Sequence, residues 1–125
     1  MPKVSRESAA NVQDHGPAEE REQELDDYSV SFLSIRQGMD LAPLMKGLPD
    51  DRCQCPHWGY VFKGKLTLRF ADWEEVYEAG DAFYVPPGHA PEAESGTEFV
   101  QFSPTEELRA SQEVIMKNMQ AMRGA

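Results

Sequence analysis

The chain has 125 residues, of which 12 are Lys or Arg and 22 are Asp or Glu, giving a formal net charge of −10 at pH 7. That length suits one domain with a core of its own, and one site is the expectation. No basic stripe interrupts the acidic balance, which argues against nucleic acid and anionic membrane surfaces as partners.

Residues 1–27 are polar, with Gly16 and Pro17 followed by the charged run from Glu19 to Asp27. Such a composition buries little, so it predicts a mobile N-terminal arm, or one that orders only against a partner subunit. His15, within it, is expected to be solvated. The N-terminus has no apolar signal core, and no run approaches the roughly 20 apolar residues of a spanning helix. The expectation is a soluble, cytoplasmic protein.

Tyr28 to Ile35 alternates with the period of a half-buried strand and opens a barrel expected over residues 28–103. Leu41 to Gly47 predicts a helical turn or a packed loop. Strands are then predicted over Trp58–Phe62, Leu66–Phe70, Glu74–Glu78, Ala82–Val85 and Thr97–Phe102, broken by Gly64, Asp72, Gly80, Pro86, Gly88 and Gly96. Short strands at this spacing indicate an all-β antiparallel barrel or sandwich. Over residues 104–125 the pattern becomes helical, with Ser103 as N-cap, Pro104 at N1 and Glu106 at N3. Lys117 and Arg123 complement the helix dipole before Gly124. Leu108, Ile115, Met119 and Met122 share one face, which would cover the barrel or a second copy of the chain.

The residues that carry chemistry lie between these strands. Cys53 and Cys55 are the chain's two cysteines and stand too close to close a useful disulfide loop. On an extended chain Cys53, Cys55 and His57 project from one face, and His89 from the next motif would supply a fourth corner. Thiolate and imidazole donors select zinc, iron or copper over magnesium or calcium. The same two thiols also read as small buried hydrophobes. Trp58, Tyr60, Phe83 and Tyr84 read either as pocket lining or as barrel core. Trp73, at a hairpin tip, is expected to pack on the barrel or in a dimer interface. No Gly-rich phosphate loop, Ser elbow or His-Glu-x-x-His helix is present, so nucleotide transfer, serine hydrolysis and helix-borne zinc proteolysis have no residues to stand on.

Gly80, Pro86 and Gly88 have the spacing of a short barrel motif, and Tyr60 to Gly64 supplies an aromatic-aliphatic pair before a glycine. On these residues the chain resembles the cupin superfamily, small jelly-roll barrels with two motifs around a metal pocket. The resemblance spans about Cys53 to Pro91 and implies a cupin jelly-roll β-barrel with a C-terminal α-helix. Where cupins usually carry His, His and Glu in the first motif, this chain has Asp51, Cys53 and His57. The usual second-motif His position is Pro91, and His89 stands two residues earlier.

The function expected is a metal-binding cupin with a divalent transition metal (zinc, iron or copper) held by Cys53, Cys55, His57 and His89. It would act as an oxygenase, isomerase or lyase on a small organic molecule. The alternative is a cupin without catalysis that senses or binds a small molecule, a metal or an oxidant. A purely structural module is the third reading. The family and the apolar helix face together imply a homodimer.

Overall fold

The structure, a computed structural model, describes residues 3–123. Met1 and Pro2 of the expected arm and Gly124 of the expected helix stop lie outside the described residues. Among the described residues, ten strands form two antiparallel sheets. The larger contains β1 (Asn11–Asp14), β2 (Ala18–Leu25), β3 (Tyr28–Ile35), β5 (His57–Lys63), β8 (Ala82–Val85) and β10 (Glu98–Pro104) in the order β1-β2-β3-β10-β5-β8. The smaller contains β4 (Met39–Asp40), β6 (Lys65–Arg69), β7 (Glu74–Glu78) and β9 (Ala90–Ala93) in the order β4-β9-β6-β7. Short 3₁₀ turns at Ala42–Met45 and Pro49–Asp51 lead into the Cys53 segment, and α1 (Thr105–Arg123) closes the chain. No helix among the described residues is long and apolar enough to cross a membrane.

The two sheets face each other across a core of Ile35, Val61, Leu66, Leu68, Phe83, Val85 and Phe99. Alternation explains it: on β6, Leu66 and Leu68 are buried and Arg69 is exposed, as a pleated strand with one dry face requires. Gly59 on β5 has a specific reason. A Cβ there would collide with the Val100 carbonyl and the Phe83 ring, so only glycine lets that ring lie against the strand. At the β5–β6 turn, Gly64 has φ 81° and a Cβ would strike Thr97, which favours glycine twice over.

Three expectations need correction. The arm is not a detached tail: β1 and β2 belong to the large sheet, and β2 pairs with β3 along its whole length, from Ala18↔Ile35 to Leu25↔Tyr28. Backbone pairing and charge pairing replace the missing apolar residues. Arg21 bonds Glu19 at 2.7 Å, and Arg36 bonds Asp14 at 2.7 Å. The hairpin closes at Asp26, whose φ of 60° is a conformation that Asp tolerates in turns. The barrel therefore starts well before Tyr28.

Second, Ser103 and Pro104 do not begin the helix. They end β10, and α1 starts at Thr105, whose amide donates to the Asp27 carbonyl at 2.9 Å. Third, Met122 is exposed, so the inward face of α1 runs through Leu108, Ser111 and Ile115 and stops short of it. That face covers a second apolar cluster of Met45, Leu48, Cys53, Cys55, Ala90 and Leu108. The Asn118 amide pins the helix there, donating to the Leu44 and Lys46 carbonyls at 2.7 and 2.8 Å.

Candidate metal centre

Cys53 and His89 come from loops that meet as an isolated antiparallel bridge. The Cys53 amide donates to the His89 carbonyl at 2.8 Å, and the Gly88 amide returns a bond to the Cys53 carbonyl at 2.8 Å. Gly88, at φ 95°, supplies the turn that brings its neighbour back to this bridge. His57 is the first residue of β5 and points inward beside Val85, its partner on β8. The ligand atoms of Cys53, His57 and His89 lie within 4.8 Å of one another, and all three residues are buried. The imidazole rings are 5.0 Å apart between centroids, edge to face.

Hydrogen bonds fix the rings. His89 Nδ1 donates to the Pro86 carbonyl at 2.9 Å, because a carbonyl only accepts; its Nε2 is therefore the nitrogen with the free lone pair. His57 Nδ1 lies 2.7 Å from Ser103 Oγ, a hydroxyl able to donate or accept, so His57 Nε2 is the ring nitrogen outside this bond. Anchored Nδ1 atoms with Nε2 turned inward are the usual outer support of metal-binding histidines. Burial, and then the neighbouring His89, push His57 down to about 3, and burial lowers His89 as well. Both rings are neutral near pH 7, the form that binds metals.

The thiols differ from each other. Cys53 donates to Ser111 Oγ of α1 at 3.5 Å, and burial raises its pKa while this bond partly offsets the rise. Cys55 is fully buried, donates to the Pro56 carbonyl at 3.4 Å, and is pushed up to about 12 chiefly by burial. It stands outside the cluster of three. Equal projection of Cys53, Cys55 and His57 would need an unbroken strand, and β5 begins only at His57, after Pro56.

The cluster opens on a cavity of about 270 Å³ between the two sheets and α1, and Cys53, His57 and His89 all line it. Glu20 and Glu22 of β2 also line it. Glu22 is buried and bonded to Arg109 of α1 at 2.9 Å. Burial first, and then Glu22, push Glu20 up to about 7. His15, expected in solvent, also lines this cavity. Of the four aromatics weighed for the pocket, Phe83 lines it, whereas Trp58, Tyr60 and Tyr84 are exposed on the outer face of the large sheet. Trp73 is exposed and stacks on Phe70, with centroids 4.4 Å apart. The acidic wall escaped the sequence reading because a charge run resembles a solvated tail. The alternation of Ala18, Glu20 and Glu22 ahead of the Asp26-Asp27 turn was the available signal.

No family model matches the sequence, and no curated protein matches it. Solved structures do match. An RmlC-like cupin from Shewanella frigidimarina NCIMB 400 superposes with a TM-score of 0.57 at 17% identity, covering 83% of this chain and 92% of that one. This chain has the cupin fold. A mutant of the Bacillus subtilis oxalate decarboxylase OxdC matches with a TM-score of 0.60 at 15% identity, over 81% of this chain and 28% of that longer one. The polyketide cyclase RemF from Streptomyces resistomycificus gives 0.56 at 16% identity, over 84% and 80%. Identities this low make the fold the shared property. The convergent donors of this chain are one thiol and two imidazoles.

Proposed function

We propose that this cupin binds a divalent transition metal through Cys53, His57 and His89 and acts on a small organic molecule in the adjoining cavity. The observation that carries the reading is the buried convergence of one sulfur and two nitrogens at the cavity wall. Three protein ligands beside open space are the pattern of a catalytic site, whereas closed structural sites use four. Zinc, iron or copper suits a thiol with two imidazoles. The metal, when bound, supplies Lewis-acid or redox chemistry. The protein's part is to hold both imidazoles neutral with Nε2 inward and to exclude water beneath α1. Oxygenase, isomerase and lyase chemistry all fit this arrangement.

A binding or sensing cupin is the second reading, and burial of both thiols weighs against its redox form, since reactive cysteines are accessible and low in pKa. Two free thiols suit a reducing compartment such as the cytoplasm.

A homodimer also belongs to this proposal. On the outer face of the large sheet, Val30, Phe102, Trp58 and Tyr84 form one cross-strand row, and Phe32, Val100, Tyr60 and Ala82 form the next. Phe102, Trp58, Tyr60 and Tyr84 are exposed. Neither row carries a carboxylate, and the second continues on β2 into Arg21, so two chains of net charge −10 can meet there without opposing carboxylates.

Elemental analysis of protein purified without a polyhistidine tag tests the metal reading. We expect stoichiometric transition metal in the native chain and in Cys55→Ser, and its loss in Cys53→Ser, His57→Ala and His89→Ala. Full retention in both histidine variants would rule the site out. Conversion of substrate by the loaded protein would separate enzyme from binder.

A further inference from the structure

The cavity has two chemically different ends. Cys53, His57 and His89 form one. Glu20 marks the other, and the sheet register relates the two: Glu20 faces Leu33, Leu33 faces Phe99, and Phe99 faces Val61, three strand steps around the large sheet. His57 lies further along β5 again, two same-face positions before Val61. Between the two ends the wall is largely apolar on one side, made by Leu33, Ile35, Phe83 and Phe99, with Ser31 and Gln101 as polar neighbours.

Charge on this wall is unbalanced. Among the described residues Arg109 is the one Lys or Arg lining the cavity. Its guanidinium is directed to Glu22 at 2.9 Å, to Glu24 at 3.1 Å and to Gln112, and not to Glu20. Glu20 projects into the cavity beside the Glu22 carboxylate with no cation bonded to it. Its carboxyl is pushed up to about 7 because burial and Glu22 both oppose its ionisation, and the field of Arg109, bonded elsewhere, offsets them only in part. A positive charge placed there would relieve both effects. A negative one would meet two carboxylates in a site of low dielectric.

We propose that the cavity takes a small, largely apolar organic cation, an alkyl amine in its ammonium form. Its nitrogen sits at Glu20 and its hydrocarbon portion lies along the apolar wall toward the Cys53, His57 and His89 end. This deepens the functional reading above by naming a substrate class. It rests on the cavity and not on the metal.

The test titrates the full chain, both as purified and after chelation, with hexylammonium chloride, 1-hexanol and sodium hexanoate in a calorimeter. Hexylammonium is expected to bind at least about tenfold tighter than hexanoate in both preparations. Glu20→Gln should bring the two within about threefold, and Glu20→Asp should keep the preference. If Glu20→Gln does not fold, the native chain and Glu20→Asp still decide the matter. Equal or tighter binding of hexanoate to the chelated protein, a preference that survives Glu20→Gln, or no binding of hexylammonium at millimolar concentration would overturn the proposal. Failure of the metal reading shows itself differently, as protein without stoichiometric metal that still prefers the ammonium probe.

Discussion

Ser103 and His57 meet across neighbouring strands of the large sheet, with Ser103 Oγ 2.7 Å from His57 Nδ1 and both residues buried. Ser103 has the sequence context of a helix cap, yet its hydroxyl orients an imidazole. The last inward position of β10 thus sets which nitrogen His57 offers to the cavity.

Removing that hydroxyl should loosen the ring without removing a ligand. Ser103→Ala is expected to weaken metal binding by about 10–100-fold, the usual effect of losing an outer partner of a metal-binding histidine. Competition with a chromophoric chelator measures it. An unchanged affinity would place Ser103 outside the metal's support.

Glu20 gives a pH signature of known sign. Its carboxyl is raised from the ordinary 4.5 to about 7, so between these values the folded chain binds more protons than the unfolded one. Stability from this group is complete below about 4.5 and declines as pH rises through 7. Glu20→Gln should remove the decline. Its denaturation midpoint relative to the native chain should therefore be higher at pH 8 than at pH 5, and a difference independent of pH would contradict the assignment.

Arg109 clasps α1 to β2 through Glu22 and Glu24. Arg109→Ala leaves the buried Glu22 without its cation, but Arg109 itself is 42% exposed, which moderates the cost. A loss of about 1–2 kcal/mol is expected, between surface and fully buried pairs. Urea denaturation of the native chain and the variant measures it. A change below about 0.3 kcal/mol would mean that water replaces the pair.

The aromatic face makes a prediction about mass. Trp58→Glu, at an exposed position flanked by Tyr28 at 6.4 Å and Tyr84 at 5.0 Å, should convert a dimer to a monomer in sedimentation velocity. A native chain that sediments as a monomer at high concentration would remove this interface from consideration.

The alternation of Tyr28–Ile35 and of Ala82–Val85, and the glycine-proline spacing from Gly80 to Gly88, made those strands and turns legible, because period and turn chemistry are local properties. β9 was not legible. Ala90–Ala93 contains Pro91, which reads as a strand breaker, and only its pairing with β6 and β4 makes a strand of it. β2 was hidden for the opposite reason: its carboxylates read as solvated until Arg109, far away in the chain, is placed beside Glu22.

Within the candidate site, the residue types and the two segments that bear them were set by the sequence, since donor chemistry belongs to each side chain. Which donors converge was decided by the fold. Pro56 ends the extended run that would have aligned Cys55 with its neighbours, while the backbone bridge between Cys53 and His89 and the inward first position of β5 bring the other three together. Convergence of this kind depends on long-range hydrogen bonds and strand parity, and no window of sequence contains both partners of either.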